Sequence, residues 1–479
     1  MQAKIKHVCS QVLKEISPNQ FEKKKILTLA KDLERKVACS AAKRGIEAVV
    51  RVEGSVAKDT WLREEPDVDV FMCLPPTIPR KTLGTVSLTI AREATKGWRQ
   101  VERFAEHPYL EAFVKGFRVN IVPCYCAGGG HWLSATDRTP FHTDYVNKIL
   151  NENLRGEVRL LKRFMQQTKV YGAEIKVGGF SGYLCELLII HFGSFTKVLE
   201  AFARYTSRMV IDIENYYADR DKELKLLFEE PLVVVDPVDK RRNVASAVKS
   251  DRIYNFVGAA RAFLKAPTVD FFKPPPRKAF SVRNLREIIG NRGSDILFLT
   301  FKPAEAVPDV VWGQLYKTQR ALRKMLELND FNVFRDAAWN DEGNISLFIF
   351  ELEQRTLSAV KKHVGPPLER ERECEDFLSK YVQNGCVISG PYIEGGRWMV
   401  EVKRKNRDAV ELLQEKLKEG GRNTGVAELI AHSLRDSFRV LVNSEVSETY
   451  SSNKALRAFI TEFLVGKPYW QELHETQTN

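Results

Sequence analysis

The chain has 479 residues, of which 44% are hydrophobic, so it is long enough for about three domains with packed cores. Its 74 Lys and Arg residues against 62 Asp and Glu give a net charge of +12, which favours a polyanionic partner such as nucleic acid without requiring one. Without a C-x-x-C pair, a signal-peptide core or an apolar run long enough to cross a bilayer, the sequence predicts a cytoplasmic protein with reduced thiols, no zinc and no membrane contact.

The first 150 residues predict an α/β region. Residues 1–47 have helical periodicity, and residues 48–52 form a strand that ends at the turn Gly54-Ser55. A second, central strand is predicted over 67–74, a helix over 85–95, and another strand over 117–122. Residues 58–62 are expected to open a short helix after the turn.

From about residue 150 the pattern becomes helical. A helix is predicted over 157–171, and Ser181 is expected to cap an apolar helix that runs to Phe192. The proline-rich segment 273–278 is the clearest linker. A strand–helix–strand–strand pattern follows over 295–352, and then a second β-rich stretch with a strand at 398–403 and helices at 409–418 and 454–464.

Asp67 and Asp69 are the first candidates for chemistry. Carboxylates two positions apart on a strand point to the same face, where they can hold a divalent metal. The small turn at Gly54-Ser55 lets backbone N–H groups approach a phosphate closely. Together these features predict nucleotidyl transfer from a nucleoside triphosphate; alone, the acidic pair is typical of a solvated strand edge.

Three cations further along the chain have ordinary structural interpretations as well. His142 lies in a short polar segment, where a single histidine is more often structural than catalytic. Lys162 belongs to a basic stripe that by default is a solvated helix face, and Arg242 lies where a surface arginine is common. They are candidates for a functional site because of where they lie in the order of motifs along the chain, and not because of their local sequence pattern.

The order of the motifs resembles one family. The run 54–62 followed by 67–71, then Ala105-Glu106-His107-Pro108-Tyr109, Val122-Pro123-Cys124-Tyr125 and residues 137–142, is similar to the archaeal-type (class I) CCA-adding tRNA nucleotidyltransferases. The runs 158–162, 170–174, 178–183, 236–239 and 242–244 extend the similarity to about residue 265. Chance would not keep such spacing and order together.

The resemblance implies an α+β multidomain protein with a DNA-polymerase-β-like nucleotidyltransferase head. The expected domains are a head at 1–150, a helical neck at 151–275, a βαββ body at 276–366, and the tail with the remaining body at 367–479. It implies sequential addition of C, C and A to the tRNA 3′ end from CTP and ATP with Mg²⁺, and suggests a homodimer.

The resemblance also assigns site residues. Asp67 and Asp69 would hold the metal, and Ser55 and Lys58 would meet the triphosphate, where the family more often has arginine at the latter position. The residues expected around the nucleotide phosphates and sugar are Thr139, His142, Lys162 and Tyr171. Arg242 would read the base edge, because a guanidinium presents fixed N–H donors.

One position departs from the family pattern. The third carboxylate lies just before Val122-Pro123, and this chain has Asn120 there. Asparagine supplies a neutral oxygen ligand but carries no charge and cannot act as a base. Three outcomes are open. In the first, Asp67 and Asp69 suffice as metal ligands together with the substrate phosphates; in the second, another carboxylate, such as Glu111 or Glu106, binds the metal instead. In the third outcome catalysis is impaired.

Three functions therefore remain open from the sequence. A CCA-adding enzyme is the leading hypothesis. Another template-independent transferase, such as a poly(A) polymerase, has the same head signature but lacks the downstream run through Arg242. A tRNA-binding protein with a disabled head is the third, and Asn120 motivates it.

Overall fold

The N-terminal part is built on a mixed five-stranded sheet in the order β1-β2-β5-β4-β3, in which only β2 and β5 run parallel. In this computed structural model, which describes residues 1–104, 106–126, 128 and 130–475, the elements are α1 (Gln2–Ile16), α2 (Gln20–Ala42), β1 (Val49–Glu53), α3 (Gly54–Ala57), β2 (Asp67–Leu74), α4 (Arg80–Ala94), β3 (Arg99–Phe104), β4 (Pro108–Val114), β5 (Phe117–Tyr125) and α5 (Thr139–Ile149). Ala105, which belongs to one of the family motifs, lies outside the described residues.

The alternation of β2 decides which side of the sheet is available for chemistry. Val68, Val70 and Met72 are fully buried in one core with apolar residues of α2 and α4. Because side chains alternate along a strand, Asp67 and Asp69 lie on the opposite face, away from these helices. The two carboxylates are therefore placed on the uncovered side by the hydrophobic pattern itself.

Two predictions for the first 62 residues need correction. The helical region 1–47 is interrupted at 17–19, where the Asn19 side chain accepts a hydrogen bond from the Glu22 amide and begins α2. The short helix after β1 lies at Gly54–Ala57, not at 58–62, and Lys58 is the residue that ends it. The prediction at 58–62 was wrong because the helix begins directly at the turn.

The next part of the chain is largely helical, as predicted. Its elements are α6 (Glu152–Gln167), α7 (Gly182–Phe192), α8 (Phe195–Ala203), β6 (Met209–Ile211), α9 (Asp221–Leu227), β7 (Leu232–Asp236), β8 (Asp239–Asn243) and α10 (Ser250–Lys265). The predicted cap of α7 is confirmed, since Ser181 Oγ accepts a hydrogen bond from the Leu184 amide at 3.1 Å. Phe164 is the centre of an aromatic cluster with Phe195, Phe263 and Phe271. Helix α1 buries its apolar face in this same core.

The remaining chain forms a separate compact unit, residues Arg277–Gly466, while the segment from Lys467 rejoins the unit Met1–Pro276. Its elements are α11 (Val282–Gly290), β9 (Asp295–Phe301), α12 (Pro308–Leu328), β10 (Val333–Asn340), β11 (Ser346–Leu352), β12 (Val360–Pro367), α13 (Glu371–Tyr381), β13 (Val387–Glu394), β14 (Arg397–Lys403), α14 (Ala409–Leu417), α15 (Glu428–Asp436), β15 (Phe438–Val442), α16 (Ser447–Ser452) and α17 (Lys454–Val465), followed by α18 (Tyr469–Glu475) in the first unit. The predicted βαββ order is confirmed, and β15 completes a sheet in the order β10-β11-β9-β15. A second sheet has the order β12-β14-β13.

Within the described residues, no helix combines the length and the apolar character needed to span a membrane. The division into head, neck, body and tail domains stays a prediction.

Candidate active site

The acidic edge of the sheet comprises Asp67, Asp69 and Asn120. Strands β2 and β5 pair in parallel with Asp69 directly beside Asn120 and Asp67 beside Arg118. Asn120 Nδ2 donates a hydrogen bond to Asp69 Oδ1 at 2.9 Å. Burial and the neighbouring Asp67 raise the pKa of Asp69 to about 6, against the opposing effect of this hydrogen bond. The register thus brings the two predicted ligands and the neutral third residue together.

Arg118 forms an ion pair with Asp67, the other carboxylate of this edge. Its Nε donates to Asp67 Oδ1 at 2.8 Å, and its Nη2 contacts Asp67 Oδ2, so the ion pair has two contacts. The hydrogen bond to Asp67 raises the pKa of Arg118 above its ordinary value. A cation that bound both Asp67 oxygens would have to displace this guanidinium.

The turn at Gly54 touches the acidic edge directly. Gly54 has a φ of +71°, and a Cβ placed there would lie 2.2 Å from Asp69 Oδ2. Only glycine permits both this left-handed conformation and this close approach. Ser55 follows in α3, and its carbonyl accepts the Thr60 amide at 2.9 Å, which folds the chain back toward α6 and α7.

Lys58 and Lys162 meet at a buried acid on α7. Lys58 Nζ lies 2.5 Å from Glu186 Oε2, and Lys162 Nζ lies 3.1 Å from Glu186 Oε1. Thr60 Oγ1 donates to Glu186 Oε1 at 2.6 Å and receives a hydrogen bond from Lys162 Nζ at 2.9 Å. The solvated-face interpretation of Lys162 was therefore wrong, because this lysine is 3% exposed.

Tyr171 lies near Lys162. A Cβ at Gly182, the first residue of α7, would lie 3.0 Å from Tyr171 Oη and 3.6 Å from Lys162 Nζ, so both polar ends converge at that glycine. Burial raises the pKa of Tyr171 well above its usual value, so the phenol remains a neutral hydrogen-bond donor.

A second buried acid, Asp236 at the end of β7, organises His142 and Arg242. Its Oδ2 lies 2.9 Å from His142 Nε2 and accepts Arg242 Nη1 at 2.7 Å. Its Oδ1 accepts Tyr183 Oη at 3.1 Å, and the Tyr183 ring stacks on His142 at 4.0 Å. Burial lowers the pKa of His142, and although Asp236 opposes that shift, the net pKa remains below its ordinary value. The imidazole is therefore mostly neutral at pH 7.

Thr139 begins α5, and the loop before it is fixed by Asp137. The Asp137 carboxylate accepts the backbone amides of Tyr125, Leu133 and Ser134 at 2.7–2.8 Å. The buried acid therefore attaches the start of α5 to the end of β5, the strand that carries Asn120. Thr139 itself is half-buried.

A polar cavity of about 690 Å³ opens next to Arg242. Arg138, Asp239 and Trp132 also line it. Arg138 Nε donates to Asp239 Oδ2 at 2.7 Å, and its guanidinium lies 5.5 Å from the Trp132 ring centroid. An aromatic face and guanidinium donors in one cavity suit a flat polar ligand such as a nucleobase.

Lys58 joins the acidic edge to the rest of the site. Its ammonium lies 5.5 Å from the Tyr183 ring centroid, and its charge partly offsets the rise in the pKa of Asp69 and further lowers the pKa of His142. Lys58 therefore lies close enough to Asp69, His142 and Lys162 for its charge to shift their pKa values. In the described part of the chain, no side-chain hydrogen bond or ion pair joins Thr139 to this group.

Glu111 and Glu106, the two carboxylates expected as alternatives to Asn120, differ in their position relative to it. Glu111 is buried and lies directly beside Asn120 in the register of β4 and β5, where Arg103 Nη2 donates to its Oε1 at 2.9 Å. Glu106 instead pairs with Arg80 at 2.5 Å and contacts the Ala135 amide. In the part of the chain that the structure describes, no group of three or more His, Cys, Asp or Glu side chains is placed to hold a metal ion.

The two organising acids, Glu186 and Asp236, were not predicted as site residues. Glu186 is conspicuous in the sequence as the single acid in the apolar run 183–195, and this was the signal available. Asp236 belongs to one of the family motifs, but only the structure shows that it pairs with His142 and Arg242.

Two carboxylates beside a Gly-Ser turn, followed by a helical region with buried lysines and arginines, are the arrangement expected of a nucleotidyltransferase, and the comparisons with known proteins show that class. The family model for the second domain of tRNA nucleotidyltransferases matches residues 156–273, and the model for the C-terminal domain of CCA-adding enzymes matches residues 292–443. The CCA-adding enzyme of Methanosarcina barkeri is 37% identical over 91% of this chain and 93% of its own length. That of Methanothermobacter thermautotrophicus is 34% identical over 95% and 97%, respectively. The chain belongs to the family of archaeal CCA-adding enzymes.

Proposed function

We propose that this chain rebuilds the 3′ end of tRNA by adding C, C and A from CTP and ATP without a nucleic-acid template. Its membership in the family of CCA-adding enzymes supports this function. The observation in the structure that carries it is the position of Lys58, which forms an ion pair with Glu186 and whose charge also opposes the rise in the pKa of Asp69. One cation thus connects a candidate metal edge with a candidate triphosphate site.

On the acidic edge, Asp67, Asp69 and Asn120 are the proposed ligands of Mg²⁺. Carboxylate and amide oxygens are the donors that this hard cation prefers, so the donor set fits, with substrate phosphates supplying further ligands. Asn120 must turn its amide oxygen outward, since its nitrogen now faces Asp69. When bound, the ion would neutralise charge on the transferring phosphate and favour ionisation of the tRNA 3′-hydroxyl.

The remaining residues bind and orient the nucleotide. Ser55, Lys58, Lys162 and Tyr171 are proposed to hold the triphosphate, which places the α-phosphate in line with the attacking hydroxyl. Thr139 and His142 are proposed to contact the phosphates and the sugar. The neutral imidazole acts as a hydrogen-bonding group and adds no charge.

Base selection is assigned to Arg242. Asp236 accepts a hydrogen bond from its Nη1, and Arg242 lines the polar cavity, where the other N–H groups of the guanidinium are proposed to meet the base. Since no template base is present, fixed donors in the protein and the growing RNA end must together distinguish the C and A steps.

An incorporation assay tests the proposal. A tRNA that lacks its terminal CCA is incubated with labelled CTP, ATP and Mg²⁺, and the products are resolved to single-nucleotide length. We expect two C additions, one A addition and then a stop. Long A tails would instead indicate a poly(A)-type transferase, and tight tRNA binding without incorporation would indicate a disabled head.

Two further features of the proposal lie outside the active site. Assembly as a homodimer is a prediction that sedimentation equilibrium would test. A cytoplasmic location is a prediction from the sequence and from the proposed tRNA substrate.

A further inference from the structure

Glu186 is an unusual residue for its surroundings. It is fully buried on α7, and its neighbours Leu184, Cys185, Leu187 and Leu188 belong to the apolar core. An ionised carboxylate in such a place is unfavourable unless cations and hydrogen bonds compensate it. The compensation comes from residues that the proposed function assigns to the nucleotide.

The contacts of Glu186 connect two distant parts of the chain. Lys58, which lies 128 residues earlier, follows the Gly-Ser turn, whereas Lys162 is on the neighbouring helix α6. Each lysine uses a different carboxylate oxygen, and Thr60 donates to one of them. These contacts hold both ammonium groups at one place, and the ammonium charges keep the pKa of Glu186 at about 2 despite its burial.

The charges of this cluster do not balance. Two ammonium groups face one carboxylate, and across the described ranges no other carboxylate lies within ion-pair distance of either lysine. Burial lowers the pKa of Lys162, and Glu186 opposes that shift. A buried cluster with one excess positive charge, beside the neutral Tyr171 hydroxyl, is suited to an anionic ligand.

We propose that Glu186 is a positioning residue, which holds Lys58 and Lys162 side by side so that the excess positive charge of the cluster receives the triphosphate of the incoming nucleotide. The inference rests on the proposed function, since it presumes a nucleoside triphosphate as substrate. Glu186 acts through the lysines and does not touch the nucleotide.

The test is the pH dependence of CTP binding to Glu186→Gln, measured by calorimetry with Mg²⁺ and no tRNA. Removing the carboxylate lowers the pKa of Lys162 further, so the variant loses a cation as pH rises. We expect CTP affinity of the wild type to stay nearly constant from about pH 7.5 to 9, a range that lies above the titration of Asp69 and of the CTP terminal phosphate. Affinity of the variant should fall across that range by about tenfold or more, as for one lost charge-assisted hydrogen bond.

Glu157→Gln is the matched control. Glu157 is half-buried on α6 in the same region, and it accepts the Phe195 amide at 2.7 Å. We expect this variant to bind CTP with the wild-type pH profile. Circular dichroism spectra and melting temperatures of all variants establish that they are folded.

Three results would overturn the positioning role: unchanged binding by Glu186→Gln at every pH, tighter binding, or a weakening that is the same at every pH. If the glutamine variant does not fold, Glu186→Asp replaces it. That variant keeps the charge but shortens its reach, so its CTP affinity should fall with a flat pH profile, and wild-type affinity would contradict the proposal. Failure of the wild type itself to bind CTP would count against the proposed function and this inference together.

Discussion

The two halves of the active site are built in different ways. At the acidic edge, Asp67 is half-buried and is held by Arg118, a side chain that is 50% exposed. In the helical half, Glu186 and Asp236 are fully buried; Glu186 pairs with two lysines, and Asp236 pairs with Arg242 and the His142 imidazole, all of which are assigned to the nucleotide. In the first half the acids are candidate metal ligands, whereas in the second half they hold the side chains that are proposed to bind the nucleotide.

This difference indicates which contacts must change during the reaction. Exposed ion pairs are weak and exchange readily, so Arg118 can leave Asp67 when a divalent cation arrives. Buried, multiply bonded pairs are rigid and are costly to break. We therefore expect the acidic edge to respond to metal concentration and the helical half to provide a preformed nucleotide site.

Removing a ligand at the acidic edge should have the largest effect. Asp67→Ala is expected to reduce incorporation at least about a thousandfold, because the transferring phosphate loses its charge neutralisation. Binding of tRNA, measured by gel shift, should remain within about twofold of wild type. Asp32→Ala, which removes an acidic side chain of α2, is the control. Loss of tRNA binding in Asp67→Ala would count against its assignment as a metal ligand.

Gly54 tests how closely the turn and the acidic edge are coupled. Gly54→Ala places a methyl group against Asp69 and forces alanine into a left-handed conformation, so activity should fall about a hundredfold. Gly45→Ala is a matched control, because Gly45 also has a positive φ, of +68°, but has nothing within 4 Å of its added Cβ. Equal losses of activity in the two variants would show that backbone strain alone is responsible.

Asp236 tests the helical half. Asp236→Asn removes the charge that holds Arg242 and His142, so kcat/KM for CTP and ATP should fall about 30-fold, corresponding to ~2 kcal/mol. Incorporation of UTP and GTP should rise relative to CTP and ATP as the guanidinium loses its orientation. Asp221→Asn, in the first turn of α9, is the control. An unaltered nucleotide preference would show that Arg242 does not select the base.

Asn120 tests whether the neutral residue limits metal binding. Asn120→Asp adds a charged ligand beside Asp69, so the Mg²⁺ concentration for half-maximal activity should fall about fivefold. Mn²⁺ binding measured by electron paramagnetic resonance should tighten in parallel. Asn284→Asp on α11 is the control. If neither quantity changes, Asn120 lies outside the metal coordination sphere.

Arg118 should give the smallest effect. Arg118→Leu frees Asp67 from a competing cation, and since exposed ion pairs contribute little, the Mg²⁺ requirement should fall only about threefold. Arg44→Leu, which removes a comparable exposed pair with Glu93, is the control. A higher Mg²⁺ requirement in Arg118→Leu would mean that Arg118 supports the site instead of competing for it.

Local patterns predicted local features well. The cap at Ser181 and the βαββ order are confirmed, because capping and strand alternation depend on residues a few positions apart. The same reasoning failed for Lys162, whose helical stripe is typical of a solvated face. Its burial depends on Glu186 and Thr60, which lie on other elements.

By itself, the sequence determined the chemistry that is available and the order in which it appears: two acids on one face of a strand, a Gly-Ser turn before them, and a succession of family motifs. Only the tertiary structure decided which acid serves which cation. Lys58 meets Glu186 across 128 residues, and His142 meets Asp236 across 94. Spacing along a chain fixes which side chains share a face of one element, whereas ion pairs between elements depend on how those elements pack.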